Sequence, residues 1–157
     1  MDPVARSDPW PYFAYGSNLG VSQLHRRCPR ARQVGVAELR GHRIGFTRIS
    51  RSRGGGVADL VPEAGASVWG ALFDLQDDGF GALDEYEGVP TAYRREVWEF
   101  TKLDRSTVRA WVYVVAAKRP DVLPSYQYWK VIVEGAREAG LPAEYVGLLE
   151  ALPHGPP

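Results

Sequence analysis

Ser67-Val68-Trp69-Gly70-Ala71-Leu72-Phe73-Asp74-Leu75 decides the fold, because it is apolar at successive positions and not merely at alternate ones. A strand with one wet face alternates. A run that is apolar at both parities is covered on both faces, which makes it a central strand or the wall of a barrel. Upstream, Val57 to Val61 reads as another strand, with Glu63-Ala64-Gly65 as the turn between the two. Further back, Gln33 to Leu39 and His42 to Ile49 read as two strands of a hairpin joined by a tight Arg40-Gly41 turn. The stretch Arg51-Ser52-Arg53-Gly54-Gly55-Gly56 is too polar and glycine-rich for regular structure, and is expected to form a mobile loop. It lacks the lysine and hydroxyl of a phosphate cradle.

Downstream of the central run, Asp77 offers an N-cap and Gly79 to Glu87 has the length of a short helix, ended by Gly88 and confirmed by Pro90. Tyr93 to Phe100 and Val108 to Ala116 read as strands joined around Asp104-Arg105-Ser106. Pro124-Ser125 then opens a helix with Tyr128, Ile132 and Ala136 on one face, stopped by Gly140 and Pro142, and residues 143–151 form a last helix. At the start, residues 1–9 form a loose lead-in, Tyr12 to Tyr15 a strand, and Val21 to Arg27 a short helix stopped by Pro29. The sum is six or seven strands with few helices. The expected fold is α+β, a small mixed β-barrel or strongly curled sheet flanked by helices, in one domain over 1–157.

Nineteen basic residues balance nineteen acidic ones, so no global field draws the chain to nucleic acid or to an anionic membrane. A small ligand is the expected partner. The single cysteine, Cys28, excludes an intrachain disulfide and suits a reducing compartment. No apolar run reaches membrane-spanning length and the first residues lack a secretory profile, so the expected location is cytoplasmic. His25, His42 and His154 lie far apart with no metal-ligand spacing, and no serine has the surroundings of a nucleophile. Neither a metal nor a cofactor is expected. Among the arginines, Arg26, Arg27, Arg30 and Arg32 suit a solvated helix face, and Cys28 beside them reads as a packed thiol.

Two places carry chemistry. In Tyr12-Phe13-Ala14-Tyr15-Gly16-Ser17-Asn18-Leu19, an aromatic strand breaks into a polar turn where Ser17 or Asn18 can cap a helix and unpaired N–H groups gather. Such a turn either holds a carboxylate, phosphate or oxyanion, or is an ordinary empty cap. The second place is the short helix. At 100° per residue Phe80, Leu83, Asp84 and Glu87 share a face, while Glu85 points away. Glu87 leans toward the core at a helix C-terminus, where burial and the dipole both disfavour its charge and suit it to acid–base work. The other reading is a solvent-facing glutamate, or one satisfied by Arg94 or Arg95. Tyr12, Tyr15, Tyr93, Tyr113 and Tyr128 all fall on half-buried elements, either around a polar ligand or as satisfied core residues.

Taken together, Tyr12 to Leu19, Ser67-Val68-Trp69-Gly70, Leu83-Asp84-Glu85-Tyr86-Glu87-Gly88-Val89 with Tyr93, Pro124-Ser125-Tyr126-Gln127-Tyr128, and Gly135 to Pro142 with Tyr145 resemble the γ-glutamylcyclotransferase family, from about Tyr12 to Leu152. Their order and spacing are specific, though each alone is weak. The resemblance implies a mixed barrel flanked by helices, often dimeric. It further implies Glu87 as catalytic acid/base, with Tyr12, Phe13, Ala14, Tyr15, Gly16, Ser17 and Asn18 holding the glutamyl group and Tyr93, Tyr113 and Tyr128 lining the pocket. The implied reaction is cyclisation of a γ-glutamyl amino acid to 5-oxoproline with release of the amino acid. The alternatives are the same chemistry on a γ-glutamylamine, an isopeptide, glutathione or a γ-glutamyl-protected metabolite, or a binding module without turnover. The leaving amine would lie toward the loops, Arg51 to Gly56 among them. Tyr126 and Trp129 depart from the family pattern in making the long helix unusually aromatic.

Overall fold

In the computed structural model, which describes residues 10–157, the apolar run is the second half of one 20-residue strand, β3 (Gly55–Asp74). Val68, Ala71, Leu72 and Phe73 are each at most 2% exposed, as a wall covered on both faces requires. On one side β3 pairs antiparallel with β1 (Tyr12–Ala14) and on the other with β2 (Arg32–Ser50). β2 continues to β4 (Tyr93–Lys102), and β4 to β5 (Thr107–Val115). A parallel bridge from Trp111 back to Tyr12 closes the barrel in the order β1-β3-β2-β4-β5. β2 meets β4 only at Ala37 and Glu38, so the outer half of the β2–β3 ribbon pairs only within itself. Inside, Phe13 stacks on Phe100 at 4.1 Å between ring centroids. Gly70 makes room for it, since a Cβ there would lie 2.5 Å from the Phe13 ring.

Two expected hairpin turns are bulges instead, so the barrel has five strands among the described residues and not six or seven. β2 runs through Arg40-Gly41 without reversing: Arg40 pairs with Ser67 and His42 with Pro62, and the slack is taken up by Gly41 (φ +76°) and Gly65 (φ +84°). A bulge uses the same left-handed glycine conformation as a turn, so the local sequence looks alike in both. Nor is Arg51 to Gly56 one irregular loop. Residues 51–54 make the turn of the β2–β3 ribbon, Ser50 pairs with Gly55, and Gly55 and Gly56 already belong to β3. Gly56 is required because the backbone of residues 122–124 crosses there. Its N–H donates to Leu123 O at 3.0 Å, and a Cβ would sit 2.1 Å from Val122 O.

The helices follow their punctuation. α1 (Val21–Leu24) is shorter than expected, has Gly20 at its N-cap, and gives way to turns before Pro29. α2 (Gly79–Glu87) keeps its expected bounds. Asp78, not Asp77, holds the N-cap, and Gly88 closes the helix in the left-handed conformation. α3 (Tyr126–Ala139) is capped by Ser125 Oγ, which accepts from Tyr128 N at 3.1 Å, and lays Tyr128, Ile132 and Ala136 on the barrel. α4 (Ala143–Glu150) packs beside it. The lead-in expected for residues 1–9 lies outside the described residues. No helix among the described residues is long and apolar enough to cross a membrane.

The crossing at Gly56 generates a paired test. Gly56→Ala is expected to lose about 1–3 kcal/mol, because its methyl meets backbone that cannot swing away. Gly147→Ala, in α4 with open space around it, is expected to gain about 0.5–1 kcal/mol. Urea unfolding of both variants measures the contrast.

Candidate active site

The site begins where β1 runs out. After Ala14 the chain turns, and the turn satisfies one donor internally, Leu19 N–H to Gly16 O at 3.1 Å. Among the described residues the N–H groups of Ser17 and Asn18 have no acceptor. Neither side chain caps α1, which starts only at Val21, so the free donors belong to the turn itself and not to a helix end. Asn18 is 2% exposed. Its Nδ2 donates weakly to Tyr12 Oη at 3.4 Å, and its buried Oδ1 has no partner.

The opposite wall is built around Ala58. Arg48 pairs with Val57 and Gly45 with Asp59, which leaves Phe46 and Thr47 of β2 facing Ala58 alone. This two-for-one bulge releases both polar groups of Ala58 from the ladder. Tyr128 Oη accepts from Ala58 N at 3.0 Å, and Tyr93 Oη donates to Ala58 O at 2.8 Å. Tyr15 Oη donates to Tyr113 O at 2.6 Å, while Tyr113 Oη donates to Asp84 Oδ1 at 2.7 Å. Arg95 grips both oxygens of that aspartate, at 2.8 and 3.1 Å. Burial pushes Tyr12, Tyr15, Tyr93, Tyr113 and Tyr128 above the usual phenol range, so these groups stay neutral and act as hydrogen-bond partners.

Glu87 closes the ring. It is the last residue of α2, and the helix phase that turns it inward leaves Glu85 exposed. Arg95 is committed to Asp84 and Arg94 to Glu96 at 3.3 Å, so neither satisfies it. Among the described residues its carboxylate has no ion-pair partner within 4 Å. Burial pushes it up to about 7, against the opposing pull of Arg27, Arg53 and Arg48.

An inner chamber of about 40 Å³ is lined by Tyr12, Tyr15, Gly16, Ser17, Asn18, Ala58, Glu87, Tyr93, Tyr113 and Tyr128. Of the residues singled out in the sequence, only Phe13 and Ala14 stand apart: both side chains are fully buried in the core and line no part of the chamber. Ser17, Glu87, Tyr93 and Tyr128 form a neck to an outer vestibule of about 270 Å³, whose walls include Arg48, Ser50, Ser52, Arg53 and Tyr86. Sequence reasoning aimed the leaving amine at the loops with Arg51 to Gly56, but did not single out the residues that wall this second compartment. The available signal was Arg48 and Arg53 flanking Ser50 and Ser52, but the first arginine fell in the strand expected over 42–49 and the second in the expected mobile loop. Ala58 was invisible, since a backbone role leaves no residue-type trace.

Other groups are quiet. Cys28 is buried, with burial pushing its thiol up to about 11, the reverse of an activated nucleophile. Among the described residues no group of His, Cys, Asp and Glu could hold a metal ion. A larger groove of about 880 Å³ between the β2–β3 ribbon and α4 contains none of the chamber residues, and is apolar where the chamber is polar. Titratable and unpaired groups converge in the smaller space, which makes it the candidate site.

Known proteins share this arrangement of elements. The AIG2-like family pattern matches residues 67–149. Gamma-glutamylcyclotransferase of Homo sapiens is 35% identical over 148 residues, covering 90% of this chain and 77% of that protein. The Bos taurus enzyme of the same name is 34% identical over the same coverage. A solved structure of a gamma-glutamyl cyclotransferase superposes with a TM-score of 0.87 at 31% identity, covering 93% of this chain and 89% of the other. YkqA from Bacillus subtilis superposes at 0.77 with 25% identity over 98% of this chain and 59% of its own. By sequence and by fold alike, the chain belongs to the γ-glutamylcyclotransferase family.

Proposed function

We propose that this protein cyclises a γ-glutamyl amide to 5-oxoproline and releases the amine, with Glu87 carrying protons. One observation supports this above the rest: an unpaired carboxylate with a raised pKa shares a chamber with unpaired N–H donors and the orphan Asn18 Oδ1. The substrate brings its own nucleophile, so no triad is needed. Its α-nitrogen attacks the γ-carbonyl carbon, a C–N bond forms as the five-membered ring closes, and the original amide C–N bond breaks. Holding the chain folded captures the advantage of an intramolecular reaction.

The proton count defines the work of Glu87. The α-nitrogen enters as an ammonium with three protons and ends as a lactam N–H with one. The leaving nitrogen gains the two that are lost. A carboxylate titrating near 7 takes a proton from an ammonium readily enough and returns it to a departing nitrogen, which one in the ordinary range does poorly. Asn18 Oδ1 accepts from the ammonium and orients it. The turn N–H groups at Ser17 and Asn18 receive either the α-carboxylate or the tetrahedral oxyanion. Neutral tyrosines complete the wall without adding charge.

Incubation with a panel of γ-glutamyl compounds, followed by mass spectrometry of 5-oxoproline, tests the proposal, and EDTA is expected to leave the rate unchanged. Glu87→Gln should abolish release while keeping the fold. Glu85→Gln, exposed on the opposite side of α2, should change the rate less than about twofold. Equal losses from both variants would dismiss the assignment.

The pH profile supplies a further check. Because Glu87 must be ionised to accept the first proton, kcat/KM is expected to fall as pH drops through about 7. Stability runs the other way. The folded protein holds this proton more tightly than the unfolded chain, so the wild type is favoured below the ordinary carboxylate range and loses stability as pH rises through about 7. Glu87→Gln, which cannot ionise, should exceed the wild type by at most about 3 kcal/mol in urea unfolding near pH 8, with the gap closing near pH 4.

A further inference from the structure

The vestibule raises a question that the chamber does not answer: what the leaving amine looks like. With the glutamyl group in the chamber and Glu87 at the neck, whatever is attached to the scissile nitrogen projects past Ser17 and Tyr128 into the outer space. Two guanidiniums wait there. Arg48 comes directly after the bulge opposite Ala58, and bulges commonly re-aim the side chains beside them. Arg53 is held at the tip of the β2–β3 ribbon, where its Nη2 donates to Tyr86 Oη at 3.1 Å and its guanidinium carbon lies 5.3 Å from the centre of the Tyr128 ring. Both are half-buried, whereas Arg51 between them is exposed.

Two other partly covered arginines have an acid, Arg95 with Asp84 and Arg43 with Asp121 and Glu63, while Arg27 lies over the Tyr86 ring instead. Among the described residues Arg48 and Arg53 have no carboxylate within 4 Å. The carboxylate that shares their compartment is Glu87, at the neck. Half-covering a cation without a counter-charge is unfavourable, and a ligand that brings one recovers the loss. An amine carrying a carboxylate would otherwise be repelled by Glu87, so the two cations also offset that repulsion. A neutral amine makes no use of them, and a polycationic one is disfavoured.

We infer that Arg48 and Arg53 read a carboxylate on the leaving amine, which makes them the residues that select anionic leaving groups at this site. The inference rests on the cyclotransferase reading and adds to it the identity of the residues that choose among γ-glutamyl amides. Ser50 and Ser52, on the same wall, supply hydroxyl donors to the same anion.

The test uses two substrates of nearly equal shape, γ-glutamyl-alanine and γ-glutamyl-alaninamide, which differ in the charge of the leaving group. Wild-type kcat/KM is expected to favour the carboxylate by about tenfold or more, the scale of one charge-assisted contact. In the Arg48→Gln/Arg53→Gln double variant, the preference should collapse to within about threefold, and each single variant should fall between. The ratio is the informative quantity. Removing either arginine also changes the field at Glu87, but both substrates depend on the same glutamate, so that effect cancels. Equal wild-type turnover of the two compounds overturns this inference alone, as does a double variant that folds and keeps the full preference. Absence of 5-oxoproline from both compounds overturns the underlying reading and this one with it.

Discussion

The peptide of Ala58 is the point on which the site depends. A strand peptide normally has its N–H and C=O committed to its neighbours, and freeing both inside a protein is costly unless new partners stand ready. Here two residues of β2 face one of β3, and the groups released on each side are taken up separately. Ala58 passes its pair to Tyr128 of α3 and Tyr93 of β4. On the β2 side, Phe46 O accepts from Val122 N at 2.9 Å and Thr47 O from Arg119 N at 3.0 Å, which draws the chain leading into α3 across the ribbon. The same mismatch that anchors two pocket tyrosines therefore also positions the helix that carries one of them. Asp59, the next residue, extends the arrangement with bonds from Thr47 Oγ1 and Val115 N.

Around this frame the charges are held at a working distance. Arg27, Arg48 and Arg53 act on Glu87 through space without pairing with it, and burial outweighs them. Tyr86 helps to keep that spacing. Arg27 lies over its ring at 3.5 Å while Arg53 bonds its hydroxyl, so one aromatic side chain occupies two cations that would otherwise be free to swing toward the carboxylate. A guanidinium in direct contact would return Glu87 to the ordinary range and leave it a poor proton carrier. Complete removal of the arginines would push it higher and leave it protonated when the proposed reaction requires a base.

Much of this was legible because it is local. The wall at 67–75 declares itself by apolar residues at both parities, and the phase of α2 separates Glu87 from Glu85 by rotation alone. Most of the failures are non-local. Gly41 and Gly65 carry the positive φ of turn residues, and only the pairing partner reveals that the strand does not reverse. Gly55 and Gly56 look like flexible linker until residues 122–124 are laid over them. Arg53 falls in a stretch expected to be mobile because its order comes from Tyr86, thirty-three positions away. Phe13 was drawn into the candidate site by its neighbours, but strand alternation turns it from Tyr12 onto Phe100.

Two carboxylates close to this pocket show why burial alone does not make an acid–base group. Asp59 is fully buried, yet its oxygens receive a hydroxyl, a backbone N–H and, at 2.6 Å, the ammonium of Lys118. Three donors hold its two oxygens, one of them a cation, so the group is bound into the frame. Glu87 is less deeply covered and has no such partners among the described residues. Its carboxylate faces the neck through which both the attacking and the departing nitrogen must pass in the proposed reaction. Desolvation raises its proton affinity, the lack of donors leaves its oxygens open, and the distant arginines keep it from being neutral at every physiological pH. It is the combination of a dry setting with unfilled valence that separates a residue able to carry protons from one that only braces the strand beside it.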